Sequence, residues 1–288
     1  MAKTLTKPLL IMGGTSLIGR HLLDHLEGSV SVPVFTLSRR NKAQGRDGIT
    51  GVTGDLAHPE SLKALPDLGA VICLTPVWLL TDAVLEALVA RGMTRLIAFS
   101  STSRFTKIDS PVASERAVAE SLAAGEARVM RLAERGVGWT LLRPTLIYDE
   151  GHDQNVSRLA GLIRRFGVIP LAGDGNGLRQ PVHAADLAEA ALAALLSPKA
   201  VNQAYHLSGG ETLTYRSMVE RIFAALGRRP RIVTLPPTVW RILLLLARPV
   251  LKGATAGMGA RMADDLIFDH AKAAQDLHFT PRRFEPKF

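Results

Sequence analysis

The stretch Leu9-Leu10-Ile11-Met12-Gly13-Gly14-Thr15-Ser16-Leu17-Ile18-Gly19-Arg20-His21-Leu22-Leu23 passes from an apolar run, through a glycine turn, into helical periodicity. A chain that does this needs a buried strand, a tight turn and a helix folded back on the strand. The same sequence predicts an anion site. Gly13 and Gly14 lack a Cβ, so the backbone can take positive φ and approach a ligand closely. Gly19 stands where the helix must pack tightly on the strand. The helix N-terminus adds about half a positive charge. Ser16 replaces the middle glycine of a G-x-x-G-x-x-G pattern, and a serine there can cap the helix. The expected ligand is the pyrophosphate of a dinucleotide, held by Gly13, Gly14, Thr15, Ser16, Leu17, Ile18 and Gly19.

The next strand-like run, Val32–Leu37, ends in Ser38-Arg39-Arg40-Asn41-Lys42. A dinucleotide site that takes NAD usually places a carboxylate here for the ribose 2′-hydroxyl. This chain places Arg39 and Arg40, and a guanidinium pairs well with a 2′-phosphate. The expectation is therefore NADP, with NAD the less favoured cofactor. The competing reading of the two arginines is a solvated basic turn.

Strand-like runs recur at Pro8–Met12, Val32–Leu37, Gly51–Thr53, Ala70–Thr75, Arg95–Ser100 and Trp139–Arg143. Helix-like stretches at Leu17–Leu26, Trp78–Arg91 and Val112–Arg135 separate most of them. This alternation predicts an α/β fold with a doubly wound, Rossmann-type parallel sheet. Ligands then belong at the carboxyl ends of the strands. The expected division is a dinucleotide-binding core from 1–144 with parts of 178–210, and a smaller substrate-side portion from 145–177 and 211–288. At 288 residues and 47% apolar, the chain can bury a core of that size.

The net charge of +9 is partly concentrated. Between Arg228 and Arg261 there are seven Lys or Arg and no Asp or Glu. The apolar stretch within 238–252 carries Arg241 and Arg248 on one helical face, which admits two readings: contact with an anionic membrane surface, or packing on its own domain with the arginines in water. Basic residues are not interleaved with stacking aromatics, so no nucleic-acid partner is expected. The single cysteine, Cys73, lies in an apolar run and predicts a core thiol. No metal-ligand spacing is present, no run reaches a membrane span, and no signal peptide is evident. A cytoplasmic protein, with membrane association as the variant, is the expectation.

Several further motifs stand in a fixed order: Gly54-Asp55-Leu56, Phe99-Ser100-Ser101-Thr102-Ser103, Leu142-Arg143-Pro144-Thr145-Leu146-Ile147-Tyr148, and Gly173-Asp174-Gly175-Asn176-Gly177 through Arg179-Gln180-Pro181-Val182-His183-Ala184-Ala185-Asp186. With the glycine turn, they make the chain resemble an extended or atypical short-chain dehydrogenase/reductase, of the NAD-dependent epimerase/dehydratase kind, nearly end to end. The resemblance implies that Asp55, with Leu56, sits beside the adenine. It implies that Leu74-Thr75-Pro76 runs past the cofactor ribose, and that Ser100 belongs to the cofactor site. It also implies that Ser101 or Thr102 polarises a substrate oxygen, and that Arg179 holds the diphosphate of a nucleotide sugar.

The family's central pair, a tyrosine activated by a lysine four residues on, is missing. The tyrosines are Tyr148, Tyr205 and Tyr215, followed at that spacing by His152, Gly209 and Val219. Counting back from Arg143-Pro144, the pair's places fall at Val118 and Leu122, or at Val112 and Arg116. The candidate catalytic residues are then Ser101, Thr102 and Tyr148. Lys107, His152 and Arg179 are candidates for binding substrate, with His152-Asp153 as an oriented base a further reading. His183 and Asp186 look more like a helix cap than a catalytic couple. Two functions follow. One is an NADP-dependent oxidoreductase or epimerase acting on a small-molecule substrate, a sugar nucleotide or polyprenyl-linked sugar. The other is a catalytically silent NADP(H)-binding sensor or assembly protein. A homodimer is the open expectation for self-association.

Overall fold

A computed structural model of the chain describes residues 6–29, 31–39, 46–236, 239–240 and 262–288. Arg40 lies outside them, as does nearly all of the stretch 238–252. Strands β1 (Leu9–Met12), β2 (Val34–Ser38), β3 (Ile49–Thr53), β4 (Ala70–Cys73), β5 (Arg95–Phe99), β6 (Gly138–Pro144) and β11 (Gln203–Leu207) form one sheet in the order β11-β6-β5-β4-β1-β2-β3. Every pairing in it is parallel. The order reverses at β1, between β2 and β4, so the carboxyl end of β1 opens at the switch point where ligands bind.

The apolar runs are continuous because both faces of the sheet are covered. Leu9 and Ile11 point into one core layer with Ala70, Ile72, Ile97 and Phe99. Leu10 and Met12 point into the other with Val71, Cys73, Leu96 and Ala98. The pleat alone makes this division, since successive side chains leave opposite faces. Complete burial of a leucine or isoleucine such as Leu9, Leu10 or Ile11 stabilises by roughly 1.5–3 kcal/mol each.

Helix α1 (Leu17–Leu26) covers the first layer with Ile18, Leu22, Leu23 and Leu26. Helices α2 (Asp82–Ala90) and α4 (Ala113–Met130) cover the second; a short helix α3 (Ser103–Thr106) precedes α4. Gly125 lets α4 lie against the turn at Val77, because a Cβ there would stand 2.8 Å from the Val77 carbonyl. The helix expected over Trp78–Arg91 is split: a 3-10 turn at Val77–Leu79 comes first, and the Thr81 side chain then caps α2 by accepting from Val84 N–H. The one expected over Val112–Arg135 tightens to a 3-10 turn at Arg131–Arg135.

The smaller lobe is built on α5 (Val156–Phe166), α7 (Tyr215–Ala225) and the parallel pair β8 (Ile169–Ala172) and β13 (Ile232–Leu235). Two-residue strands β7 (Ile147–Tyr148) with β10 (Val182–His183), and β9 (Leu178–Arg179) with β12 (Leu213–Thr214), stitch it to the sheet domain. Helix α6 (Ala184–Leu196) returns to the first core layer. The C-terminal segment contributes to both parts, with Phe284 and Phe288 joining the lobe's core. Helix α8 (Ala271–Leu277) packs with the sheet domain, because Ala273, Leu277 and Phe279 join the first layer beside Ala191 and Tyr205.

Candidate functional site

The glycine turn closes as a cradle at the carboxyl end of β1. Gly13 has φ +88°, and a Cβ on it would lie 3.1 Å from Thr75 Cγ2 and 3.2 Å from the Leu74 backbone. The loop after β4 can press against the turn only because Gly13 is bare. Leu74 N–H donates to the Met12 carbonyl at 2.8 Å, which fixes Leu74-Thr75 beside the turn. Ser16 N–H donates to the Gly13 carbonyl, and Ser16 Oγ accepts from Gly19 N–H at 3.1 Å. Ser16 is therefore the α1 N-cap, as its residue type implies. Gly19 has the least room: a Cβ would sit 2.5 Å from the Gly13 carbonyl oxygen and 2.6 Å from that of Gly14. Gly14 differs from expectation in needing no positive φ; a Cβ there would meet Leu23 Cδ1 at 3.1 Å. Thr15 is exposed on the turn, Leu17 is half-buried, and Ile18 is in the core. A turn this close, ahead of a capped helix start, fits a pyrophosphate.

Beside it, the β2–β3 register sets Ser38 opposite Thr53, and Gly54 N–H donates to the Ser38 carbonyl. Arg39, exposed, thus shares one edge of the cradle with Asp55 and Leu56. Asp55 Oδ1 accepts from Ala57 N–H at 3.0 Å, which orders the turn after β3. No carboxylate follows β2 at the position where a ribose 2′-hydroxyl would expect one; Arg39 stands there.

From Leu17 a cavity of about 900 Å³ runs between the sheet domain and the smaller lobe. At its sheet end it meets Ser101, Thr102, Ser103, Thr106 and Lys107, which follow β5. Thr145, Gln180 and Arg179 line its side. The far wall is apolar: Leu146, Leu159, Leu162, Phe166, Val168, Ile169, Pro170, Met218, Trp240, Met262 and Leu266. Arg158, Asn155 and Tyr215 interrupt that wall. The Arg179 guanidinium lies over the Tyr215 ring, 5.5 Å from its centre, and donates to the Leu178 and Asp264 carbonyls. Burial raises the Tyr215 phenol above its ordinary range, with the Arg179 and Arg158 charges opposing the shift.

The candidate catalytic residues separate on this geometry. Ser101 faces the cavity, and its Oγ accepts from Ser103 N–H at 3.1 Å, leaving its own proton to donate. Thr102 is buried, and both its hydroxyl and its N–H donate to the Pro144 carbonyl at 3.1 Å. Thr102 therefore corrects from a catalytic to a positioning residue. The Ser100 hydroxyl donates to Glu126 Oε1 at 2.6 Å, which leaves only its backbone to face a cofactor. Glu126 is fully buried and accepts from Arg143 Nε and Nη2 at 2.9 and 2.7 Å, and from Arg104. Burial works against its charge, but the bonds from Arg143 and Ser100 and the charges of Arg143 and Arg104 hold its carboxyl below the ordinary range. The network pins the Ser100–Arg104 loop to α4 and β6.

Tyr148 is overturned as an acid or base. It is buried, with its ring edge-on to His183 and to Phe284 at 5.0 Å each, and it does not line the cavity. Burial, with the Glu150 and Asp186 charges, pushes its phenol far up. His152 is overturned too. Its ring is exposed and its Nδ1 bonds the Glu150 carbonyl, while Asp153 turns away to Ser157 and Asn155. Helix α4 carries no tyrosine or lysine, and the counted positions Val118 and Leu122 pack into the second core layer. Lys107 and Arg179 do reach the cavity.

His21, Asp149 and His183 converge within 4.8 Å. His21 Nε2 lies 3.1 Å and Arg20 Nη2 2.7 Å from the Asp149 carboxylate, and His183 Nε2 lies 3.0 Å from Glu150. His183 Nδ1 accepts from Ala185 N–H, capping α6 as expected, so the neutral ring carries its proton on Nε2. That nitrogen donates to Glu150 and has no lone pair for a metal. The cluster is an ion-pair clasp that ties α1, and hence the cradle, to the loop after β7. Asp186 turns to Arg282, bonding Nε at 2.6 Å.

Sequence reasoning missed Tyr215, Arg158 and the apolar wall. The signal was available: residues 155, 158, 159, 162 and 166 recur at helical spacing.

A family model, "NAD dependent epimerase/dehydratase family", matches residues 9–208. The NAD(P)H azoreductase of Xenophilus azovorans is 29% identical over 93% of this chain and 88% of its own length. The 2-alkyl-3-oxoalkanoate reductase of Stenotrophomonas maltophilia is 29% identical over 95% of this chain and 94% of its own. Among solved structures, the UDP-glucose 4-epimerase of Thermotoga maritima superposes with a TM-score of 0.70 at 18% identity, covering 95% of this chain and 93% of that one. The chain belongs to the NAD dependent epimerase/dehydratase family.

Proposed function

We propose that this member of the NAD dependent epimerase/dehydratase family is an NADP(H)-dependent oxidoreductase acting on a carbonyl or hydroxyl carbon held beside Ser101. The observation that carries the reading is the cavity that starts at Leu17 of the cradle helix and meets Ser101 and Lys107 at the strand ends. It joins a dinucleotide cradle to a cleft for substrate at the fold's switch point. The two named reductases, each similar over most of this chain, support the reaction class.

Bound in the cradle, the nicotinamide would supply or accept the hydride. Gly13, Gly19 and the α1 N-terminus hold the pyrophosphate, and Arg39 pairs with a 2′-phosphate. Ser101 donates a hydrogen bond to the substrate oxygen and polarises the carbon; in the reducing direction that oxygen takes its proton from water, and in the oxidising direction it returns it there. Lys107, half-buried on the same wall, adds positive charge where oxyanion character develops. The Glu126 network holds the Ser100–Arg104 loop so that Ser101 keeps its aim. Of the expected substrates, the apolar wall favours a lipid-linked molecule over a sugar nucleotide.

NADPH is mixed with the protein and with carbonyl, lipid-linked and sugar-nucleotide substrates, following both nicotinamide absorbance and substrate isomerisation. Turnover that falls at least about 100-fold in Ser101→Ala supports the reading. A second reading, a silent NADP(H)-binding protein, is favoured by α4, which carries no tyrosine or lysine. Tight NADPH binding with neither signal selects it.

A further inference from the structure

The cavity-facing residues of α5 change character along the helix. Asn155 and Arg158 come first, then Leu159, Leu162 and Phe166. These share one face, while Val156, Ala160 and Ile163 fill the core from another. Leu159 and Leu162 pack in part against that core and, with Phe166, also line the cavity. The apolar face spans about 10 Å at 1.5 Å per residue. It ends at Phe166, which stays 51% exposed although it lines the cavity. Val168, Ile169 and Pro170 add to the apolar lining of this channel.

We infer that this channel binds an alkyl chain, and that the substrate is an amphiphile: a straight aliphatic tail along Leu159, Leu162 and Phe166, with a carboxylate held at Arg158 and its reacting oxygen toward Ser101. The inference rests on the oxidoreductase reading and names its substrate class. Three features fit one molecule. Ser101 stands in the cavity lining, the apolar run Leu159, Leu162 and Phe166 forms part of its wall, and Arg158 precedes that run on the same helix. A nucleotide sugar would leave the Leu162–Phe166 wall wet.

The test is isothermal titration of the full chain, without cofactor, with straight-chain alkanoates from butanoate to dodecanoate and with UDP-glucose, reading Trp240 emission in parallel. Each added methylene should tighten binding roughly fourfold until the chain reaches Phe166, the equivalent of about 0.8 kcal/mol per buried methylene. Phe166→Ser, at a half-exposed position that folding tolerates, should remove the gain for long chains and leave short ones unchanged. Arg158→Gln should weaken all carboxylates about equally and leave the length dependence intact. Binding that ignores chain length, or UDP-glucose binding more tightly than dodecanoate, overturns the inference. NADPH is titrated in the same preparation. If NADPH binds and alkanoates do not, the inference fails alone; if NADPH fails to bind, the reading beneath it fails.

Discussion

Gly19 leaves no room for a methyl group, because a Cβ would press on two backbone carbonyls that cannot swing aside. Gly19→Ala must push α1 off the turn. It should weaken NADPH binding at least about tenfold and lower the melting temperature, read by nicotinamide fluorescence and thermal unfolding. Arg39 makes a narrower claim. On the proposed NADP reading, Arg39→Ala removes one charge-assisted contact to a 2′-phosphate, worth about 1.5–3 kcal/mol. NADPH affinity should drop by roughly 10- to 150-fold while NADH affinity stays put; equal losses would end the preference for NADP. Tyr148 carries the opposite expectation. Its ring is wedged between His183 and Phe284, so Tyr148→Phe keeps the packing and should leave kcat within about threefold and stability within ~1 kcal/mol. A loss of 100-fold or more in kcat would restore it as an acid or base.

Helix α4 carries a structural charge and no tyrosine or lysine. Its inward face packs Ala119, Leu122 and Val129 against the sheet and delivers one charge, Glu126, to the loop that carries Ser101. Glu126→Gln would leave Arg143, nearly buried, without its anion, and should cost about 3–5 kcal/mol in urea unfolding. The pH dependence has a definite sign. The folded carboxyl titrates below its unfolded value of about 4.3, so its stabilisation is complete above that pH and is lost as pH falls through the folded value. Wild type should lose stability in acid below about pH 4, and Glu126→Gln should show a flatter profile there. The elements themselves were largely legible. Leu17–Leu26 is helical with the residues expected, since Ser16 and the Ile18-Leu22-Leu23-Leu26 stripe define both its start and its buried face. Ser100 and Thr102 were not legible, because a hydroxyl beside a site and a hydroxyl spent on Glu126 or Pro144 have the same sequence. Tyr148 misled for a related reason: its contacts come from His183 and Phe284, which only the folded chain brings near.

The molecule as a whole joins a parallel sheet, whose switch point holds the cradle, to a lobe that supplies the far wall of the cavity. The sheet was readable because burial on both faces writes continuous apolar runs. The lobe was harder to read, because its two-residue strands leave no period to follow, although α5 does carry a helical one. Its last helix, α8, returns to the sheet domain through Ala273, Leu277 and Phe279, while Phe284 and Phe288 beyond it pack into the lobe. Among the described residues no helix is long and apolar enough to cross a membrane. The central claim is that hydride passes between a nicotinamide in the cradle and a carbon beside Ser101. NADPH carrying deuterium at the transferable position is incubated with the protein and a carbonyl amphiphile, and the product is weighed by mass spectrometry. One deuterium per product molecule, lost in Ser101→Ala and Gly19→Ala, is the result expected. Unlabelled product, or none from any carbonyl substrate while NADPH is bound, would contradict it.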